Sequence, residues 1–288
     1  MSPGTVSPLA DVKGLTFDVF GTVVDWRGSI TEELALRAHR KLSSPDAALD
    51  DATRERARAL SSDGEGWGRF AHEWHESYGA FTRSFDPERD TWKTIDEHTR
   101  ESLASLLDSW GLHGLYSDAE LDSLSLVWHR LRPWPDSSDG LAQLNASGRV
   151  TTATLSNGNV SLLRDLDDFG ALGFQRLFSG ETFRAYKPNP ATYLGAAREL
   201  GLEPGQVAMV AAHLEDLQSA RACGLRTVYV ERPREEAWSR DDERYGRARE
   251  WVDLWIAEDE GGFVTLAKRL DFDMPTRLID RTRAMTQY

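Results

Sequence analysis

Four groups of polar residues in this sequence combine the residue types that nucleophilic or acid–base chemistry needs. They are Asp18, the pair Ser156 and Asn157, Lys187, and Asp216. Each lies at or near the end of a predicted β-strand or in a predicted loop. Because the carboxyl ends of parallel strands meet at one edge of a sheet, these distant residues are expected to converge there. A carboxylate that a lysine keeps charged can act as a nucleophile, so this convergence predicts a catalytic site.

Taken singly, each of these groups also has an ordinary structural explanation. Asp18 could cap a neighbouring loop, and Lys187 could be a solvated surface lysine, which is the usual environment of that residue type. Ser156 and Asn157 precede a predicted helix, where they could form a plain N-cap or an anion site. The setting of Asp18 favours the functional interpretation, because an ionised carboxylate in an apolar strand needs a cation to offset its desolvation.

The segments around these residues alternate between strand and helix patterns. Apolar, β-rich runs that end in polar or glycine residues predict strands at residues 15–20, 150–155, 206–211 and 226–230. The predicted helices between them cover 160–169, 190–200 and 214–223. Gly201 and Gly224 fall where two of these helices should end. This alternation predicts an α/β fold with a doubly wound parallel sheet.

Residues 27–133 interrupt this alternation with helical patterns and polar loops, including helices expected at 94–107 and 118–132. Apolar residues at steps of three and four predict one buried helix face, formed by Trp67, Phe70, Trp74, Tyr78 and Phe81. We therefore predict an inserted helical cap. The predicted domains are a Rossmann-like core at 14–26 and 134–270, the helical cap at 27–133 and a C-terminal extension at 271–288.

The composition fits a globular protein and argues against several classes of partner. The 288 residues carry a net charge of −13, and we expect no nucleic-acid partner, because proteins that bind nucleic acids present a basic surface. The single cysteine, Cys223, cannot form an intrachain disulfide and fits a reducing compartment. We see neither a secretory signal nor a long apolar stretch, so we expect a cytoplasmic protein without a membrane partner.

The polar groups and their flanking residues resemble the four motifs of the haloacid dehalogenase superfamily. The matching segments are Phe17–Thr22, Leu155–Gly158, Tyr186–Pro188 and Asp216. They follow one another in the order of the family, with a large insertion after the first motif, where many members carry a helical cap. The resemblance covers residues 14–270 and implies a Rossmann-like core with a cap and a hydrolytic activity.

Two features separate this chain from the phosphatases that the superfamily contains. Those enzymes carry a second aspartate two residues after the nucleophile, where this chain has Phe20. They also carry a Gly-Asp pair that holds Mg²⁺, where this chain has Ala211 and Ala212. A halide leaves without a proton, so both losses fit carbon–halogen cleavage. The chain resembles the type II L-2-haloacid dehalogenases, which implies small (S)-2-halo carboxylates as substrates, no metal or other cofactor, and a plausible homodimer.

The same resemblance implies a role for each site residue. Asp18 would displace halide from C2 with inversion and form an ester, which water then cleaves at the Asp18 carbonyl carbon. Thr22 would orient Asp18, and Lys187 would keep it ionised. Asp216 would activate the water or position Lys187. The implied substrate-binding residues are Ser156 and Asn157 for the carboxylate, with Tyr193, Phe20 and His75 around the site.

Several positions depart from the dehalogenase pattern. The arginine that the family places near the halide corresponds to His75, with Arg69 as a competing candidate and a solvated surface histidine as the structural alternative. The family's serine near the last motif is Ala211 here. Its asparagine, which positions the hydrolytic water, is His213, which could act as a base with a pKa near neutral. Tyr193 could equally be a core aromatic.

Two other functions stay open at this point. A phosphatase of the same superfamily would require Mg²⁺ and would have to recruit its acid from elsewhere in the chain. A catalytically silent binding protein is the other, because a fold does not determine a function.

Overall fold

A computed structural model describes residues 7–45 and 49–272 of the chain, with a parallel sheet at the centre. Its strands are β1 (Gly14–Phe17), β2 (Val24–Asp25), β3 (Arg132–Pro133), β4 (Thr151–Ser156), β5 (Arg176–Ser179), β6 (Val207–Ala211), β7 (Arg226–Val230) and β8 (Leu254–Ile256). Six of them form one sheet in the order β5-β4-β1-β6-β7-β8, and every neighbouring pair is parallel. This arrangement confirms the predicted fold class.

Helices cover the sheet and fill the insertion. They are α1 (Trp26–Ser43), α2 (Asp51–Ser62), α3 (Gly66–Ser84), α4 (Ile95–Ser109), α5 (Asp118–Ser125), α6 (Ser137–Ser147), α7 (Val160–Gly170), α8 (Gly180–Phe183), α9 (Pro190–Glu199), α10 (Leu214–Ala222), α11 (Glu243–Trp251) and α12 (Gly262–Phe272). None of these helices, all within the described ranges, is long and apolar enough to cross a bilayer.

The strands of the large sheet are apolar because both faces are covered. Along β6, Ala208 and Val210 belong to one apolar cluster, whereas Val207 and Met209 belong to another. Successive side chains of a strand point to opposite faces, so this alternation shows that the sheet has a core on each side. The sheet is therefore a rigid platform for the loops at its carboxyl edge.

The register of the central strands brings their ends together. Phe17, the last residue of β1, pairs with Thr154 on β4 and with Val210 on β6. The strand is shorter than the predicted 15–20, so Asp18 begins the loop instead of lying within the strand. The residues that follow β1, β4 and β6 consequently emerge side by side.

Helices α1 to α5 all come from the segment between β2 and β3. These two short strands pair antiparallel, with Val24 opposite Pro133 and Asp25 opposite Arg132, so the segment leaves and rejoins the core at neighbouring points. The Asp25 carboxylate accepts from Gly28 N at 2.8 Å and so caps the start of α1. We call α1 to α5, with the 3₁₀ turn that follows them, the cap.

Several boundaries differ from those expected. The helix predicted at 118–132 ends at Ser125, and a 3₁₀ turn at Leu126–Arg130 follows it. No sequence pattern predicted β2, β3, β5, β8, α6, α8, α11 or α12. Gly201 and Gly224 do follow α9 and α10 with φ of +67° and +87°, the left-handed conformation that ends a helix. The predicted extension lies, from residue 273 onward, outside the described residues.

Candidate active site

The carboxylate of Asp18 is the centre of a hydrogen-bonded cluster of charged side chains. Asp18 directly follows β1, and its backbone N–H donates to Val210 O at 3.0 Å, which fixes the start of the loop. Its Oδ1 accepts from Lys187 Nζ at 2.8 Å, and its Oδ2 accepts from Thr22 Oγ1 at 2.7 Å. His213 Nδ1 lies 3.1 Å from the same Oδ2. Three side chains from separate parts of the sequence therefore hold this carboxylate.

The charge of Asp18 is strongly stabilised. Burial alone would raise the pKa of this carboxyl, because the carboxylate loses hydration inside the protein. The positive charge of Lys187, together with the hydrogen bond and charge of His213, outweighs burial and holds the pKa well below its usual range. Asp18 is therefore ionised throughout the physiological pH range, as a nucleophilic carboxylate must be.

Lys187 bridges two carboxylates. Its Nζ donates to Asp18 Oδ1 at 2.8 Å and to Asp216 Oδ2 at 2.6 Å, and only 10% of its side chain is exposed. Burial alone would lower the pKa of this ammonium, but the charges of Asp18 and Asp216 raise it above its ordinary value. Lys187 is thus a buried, permanent cation and not a solvated surface lysine.

The amide of Asn157 fixes the backbone of Lys187. Asn157 Oδ1 accepts from Lys187 N at 2.7 Å, and Asn157 Nδ2 donates to Lys187 O at 3.3 Å. Ser156 Oγ accepts a backbone N–H from two residues later at 3.2 Å, which leaves its own proton to donate. The start of α7 already holds an anion, because Glu181 Oε2 accepts from Val160 N at 2.9 Å. Ser156 and Asn157 were expected to bind an anion, and the structure shows that Asn157 holds the backbone of Lys187.

Asp216 lies in the first turn of α10 and is held from two sides. Its Oδ2 accepts from Lys187, and its Oδ1 accepts from Tyr193 Oη at 2.6 Å. Tyr193 is fully buried on α9, and burial followed by the charge of Asp216 raises the pKa of its hydroxyl well above the ordinary value. Tyr193 joins the cluster through Asp216.

Within residues 7–45 and 49–272, no three His, Cys, Asp or Glu side chains are grouped to hold a metal ion.

Thr22 ties the nucleophile loop to the neighbouring strands. Its Oγ1 donates to Asp18 and accepts from Ala212 N at 2.9 Å, so the hydroxyl has a fixed direction. Its carbonyl oxygen accepts from Arg232 Nε at 3.0 Å, and the Arg232 guanidinium forms a two-pronged ion pair with Asp136. This chain of contacts gives Asp18 a single orientation.

His213 lies between two carboxylates. While Nδ1 faces Asp18, Nε2 lies 3.4 Å from Oε2 of Glu235, a residue in the loop after β7. The same Oε2 accepts from Trp26 Nε1 at 2.9 Å. Burial alone would lower the pKa of His213, but the hydrogen bonds and charges of Asp18 and Glu235 raise it well above its ordinary value. The near-neutral pKa expected from the sequence is therefore wrong, and the resting His213 is a cation.

Aromatic rings from the cap pack against Phe20 of the nucleophile loop. Phe20 is 4% exposed and makes edge-to-face contacts with Tyr78 and Trp128, at centroid distances of 5.7 and 5.5 Å. His75 stacks on Trp26 with ring centroids 3.9 Å apart. We call these five residues the aromatic lining. Of the predicted substrate-binding residues, Phe20 and His75 are brought together here.

The aromatic lining carries no charge at His75. Burial, followed by the positive charges of His213 and Arg27, lowers the pKa of His75 to about 3. A neutral imidazole can still donate one N–H. Arg69 points elsewhere, since its side chain is 56% exposed and pairs with Asp63. His75, and not Arg69, is therefore the cap residue that lies close to the cluster.

Sequence reasoning missed four residues of this site. Glu235 belongs to no motif, and the only available signal was that it follows β7 at the carboxyl edge of the sheet. Tyr78 was recognised only as part of a buried helix face. Trp26 and Trp128 carried no spacing that sets them apart from core residues, so only the folded cap reveals their place.

Comparison with known proteins agrees with this architecture. The model of the haloacid dehalogenase-like hydrolase family matches residues 12–224. The (S)-2-haloacid dehalogenase 4A of Burkholderia cepacia is 26% identical over 226 residues, which are 77% of this chain and 84% of that enzyme. A phosphoglycolate phosphatase of Nitrosococcus oceani is 29% identical over 139 residues, 46% of this chain and 62% of that enzyme.

Solved structures give the same grouping. The crystal structure of an L-2-haloacid dehalogenase is 31% identical with a TM-score of 0.72, over 91% of this chain and 99% of the other. That of a defluorinating L-2-haloacid dehalogenase is 32% identical with a TM-score of 0.71, over 90% of this chain and 95% of the other. This chain therefore belongs to the haloacid dehalogenase-like hydrolases and groups with their L-2-haloacid dehalogenase branch.

Proposed function

We propose that this protein hydrolyses small (S)-2-haloalkanoic acids to 2-hydroxy acids with inversion at C2. The reaction runs through an ester on Asp18 and uses no metal ion. Membership of the family supports a hydrolase, and the charged cluster around Asp18 supports a carboxylate nucleophile.

The observation that carries this proposal is the position of the Lys187 ammonium. It lies within hydrogen-bond distance of both Asp18 and Asp216, so a lysine supplies the positive charge between the two carboxylates. Ala212 offers no side-chain oxygen for Mg²⁺, which prefers an octahedral set of oxygen ligands. Phe20, buried in the aromatic lining, has no proton to give a leaving group, and a halide needs none.

The first step is displacement of the halide. Asp18 Oδ1 accepts one hydrogen bond, from Lys187, whereas Oδ2 already has two partners, so Oδ1 retains the lone pair that attacks C2. The halide leaves on the side opposite to the new C–O bond, which inverts the centre. The Ser156 hydroxyl donates to the substrate carboxylate and, with the adjoining loop, fixes which face of C2 is presented.

The aromatic lining receives the leaving halide. A neutral His75 can donate its N–H to the departing anion, and the ring edges of Phe20 and Trp128 carry partial positive charge. The lining therefore stabilises a small anion without a permanent cation that would compete with Lys187 for Asp18.

Hydrolysis of the ester follows at the Asp18 carbonyl carbon. Lys187 remains beside Oδ1 and stabilises the alkoxide as it leaves. Asp216 lies on the far side of that ammonium, keeps it in position and takes the proton of the attacking water. His213 lies between the carboxylates of Asp18 and Glu235, which favour its protonated form, so we assign the role of the base to Asp216.

Halide release from racemic 2-chloropropionate and 2-bromopropionate, with and without EDTA, tests the proposal. We expect release to stop when half of the substrate is consumed and to be unaffected by EDTA. The remaining acid and the 2-hydroxy acid product should each be a single enantiomer. Asp18→Asn should release no halide while its far-UV circular dichroism matches wild type.

The phosphatase relatives make a phosphate ester the natural second substrate to offer. If the protein releases no halide but hydrolyses a phosphate ester in the presence of Mg²⁺, the dehalogenase proposal fails. If the protein shows neither activity, a binding protein on this fold would be the better interpretation.

A further inference from the structure

Glu235 is a buried carboxylate for which the mechanism above has no use. Its side chain is 2% exposed, and its Oε1 has no hydrogen-bond partner. Its Oε2 meets only the indole N–H of Trp26 and the Nε2 of His213. Burying a carboxylate with so few partners costs free energy unless a cation lies beside it. Among the described residues, His213 is the cation that forms an ion pair with it.

The nucleophile loop is shaped to admit this carboxylate. Gly21 has a φ of +79°, and a Cβ built there would lie 2.0 Å from Glu235 Oε2. Any larger residue at position 21 would displace the carboxylate. The carboxylate of Glu235 therefore lies directly against the loop that carries Asp18 and Thr22.

Both nitrogens of His213 face carboxylate oxygens. Nδ1 is 3.1 Å from Asp18 Oδ2, and Nε2 is 3.4 Å from Glu235 Oε2. A carboxylate only accepts, so a neutral imidazole would set one lone pair against a negative oxygen. This geometry favours a proton on both nitrogens. The charged or titratable groups that act on this ring are Asp18, Glu235, Glu236 and His75, and Lys187 lies on the other oxygen of Asp18.

Alkylation of Asp18 changes this balance. In the resting site three carboxylates, those of Asp18, Asp216 and Glu235, face the two cations Lys187 and His213. Once Asp18 is an ester, two carboxylates face two cations. Without Glu235, His213 would lose its last anionic contact at that moment and would shed its proton.

We propose that Glu235 is a positioning residue that keeps His213 protonated through both half-reactions. The Nδ1–H of His213 then stabilises the oxyanion that forms during ester hydrolysis. The inference rests on the proposed function. If Oδ1 is alkylated, Oδ2 becomes the carbonyl oxygen of the ester, and it already lies within reach of Thr22 Oγ1 and His213 Nδ1. These two donors form the oxyanion site.

The bonds and protons of this step balance. Water adds to Cγ of Asp18, its proton passes to Asp216, and the electron pair of the carbonyl moves onto Oδ2. The pair returns as the Cγ–Oδ1 bond breaks, and the alkoxide takes the proton from Asp216. The new carboxyl group of Asp18 then ionises, which releases the one proton that hydrolysis of a carbon–halogen bond must yield.

The test is Glu235→Gln, which keeps the shape and the acceptor for Trp26 but removes the charge. In rapid-quench experiments with 2-chloropropionate, we expect the first, stoichiometric burst of halide to stay within a few-fold of wild type. Steady-state turnover should fall by about 10²-fold, the order expected for loss of an oxyanion donor. The ester should accumulate on the peptide that contains Asp18, where mass spectrometry detects it.

The pH profile separates this role from a merely structural one. If His213 acts as a cation, ester hydrolysis falls as pH rises through the pKa of His213. Removing the negative charge of Glu235 lowers that pKa, so the falling limb should move to lower pH in Glu235→Gln. Hydrolysis that instead rises with pH through the shifted midpoint would make His213 a base and overturn the proposal.

Glu231→Gln is the matched control. Glu231 lies in the same segment after β7 and pairs with Arg240, away from His213, so the same charge change there should leave burst and turnover unaltered. If Glu235→Gln turns over as fast as wild type, the inference fails and the proposed function stands. If wild type itself releases no halide, both fail.

A second measurement does not need the Glu235→Gln variant. Asp18→Asn imitates the loss of charge that alkylation causes, and the His213 ring can be followed by NMR with labelled histidine. We expect both ring nitrogens to be protonated in wild type and in Asp18→Asn at the pH of the assay. A neutral ring in Asp18→Asn would overturn the inference.

Discussion

The two sides of the candidate site differ in how they carry charge. On the core side, Asp18, Lys187, Asp216, His213 and Glu235 form a continuous chain of ionised groups with short contacts. On the cap side, Phe20, Trp26, His75, Tyr78 and Trp128 form a lining of uncharged rings. The core side therefore concentrates paired charges, whereas the cap side presents uncharged rings. In the proposed mechanism, the charged side carries the ester chemistry and the uncharged side encloses the leaving group.

The largest expected effect on this contrast comes from the core cation. Lys187→Met should lower halide release by about 10³-fold or more, because Asp18 and Asp216 would then repel each other and Asp18 would lose its main stabilising charge. The rate of halide release measures the effect. Lys41→Met is the control, since Lys41 pairs with Glu120 at the surface of the cap. Equal losses in the rate of halide release in Lys187→Met and Lys41→Met would contradict the role of Lys187 beside Asp18.

A smaller effect is expected on the cap side. His75→Phe keeps a ring against Trp26 but removes the N–H that we assign to the halide, so kcat/KM should fall by about tenfold, in the range of one lost neutral hydrogen bond. Because the pKa of His75 is about 3, the wild-type rate should show no inflection from this residue at neutral pH. His72→Phe, at an exposed position of the same helix, should behave like wild type. If kcat/KM of His75→Phe equals that of wild type, His75 does not take part in the reaction.

Tyr193→Phe sharpens the comparison within the core. The lost hydroxyl leaves Asp216 Oδ1 without its buried donor, so Asp216 and, through it, Lys187 should become less well oriented. We expect kcat to fall by a few-fold with an almost unchanged KM, because the Tyr193 hydroxyl acts through Asp216. A raised KM at constant kcat would instead show that Tyr193 binds the substrate directly.

The smallest effect concerns the contact between the two regions. His129, in the 3₁₀ turn of the cap, lies 3.0 Å from Asp96 on α4 and 2.7 Å from Asp165 on α7 of the core. Burial opposes its protonation, but the hydrogen bonds and charges of both carboxylates raise its pKa above the ordinary value. Stability from this contact is therefore full below the unfolded pKa of about 6.5 and is lost as pH rises through the raised folded value.

Thermal unfolding of His129→Gln against wild type measures this contribution. The variant should melt at a lower temperature at mildly acidic pH, by an amount that corresponds to about 1 kcal/mol or less. The gap should close as pH rises past the raised pKa. A gap that is constant with pH would mean that packing, and not charge, accounts for the contact.

The contrast between the two sides also explains what the sequence could predict. Lys187 follows no predicted strand and was expected at the site because of its motif. Asp18, Thr22 and Asp216 lie at or after strands with clear apolar patterns, so the convergence of these three side chains could be inferred from topology alone. The direct link between Asn157 and the Lys187 backbone could not, because it depends on the path of two loops. The site roles of all these residues remain predictions until the variants are measured.

The cap side was harder to predict for a physical reason. A stripe of aromatic residues looks the same whether it fills a core or lines a site, and Tyr78 and Trp74 share one stripe although only Tyr78 belongs to the lining. The raised pKa of His213 could not be predicted, because its partner Glu235 lies 22 residues away in a segment with no motif. Interactions that join irregular loops leave no periodic signal in the sequence.

The most direct test of the central claim is a single turnover in water labelled with heavy oxygen, with enzyme in excess over 2-chloropropionate. If Asp18 forms the ester and water attacks its carbonyl carbon, the first product molecule carries ordinary oxygen. The label then appears in the Asp18 carboxylate, where mass spectrometry of the peptide detects it. Label in the hydroxyl group of the first product, with none on Asp18, would show that water attacks C2 directly and would contradict the account.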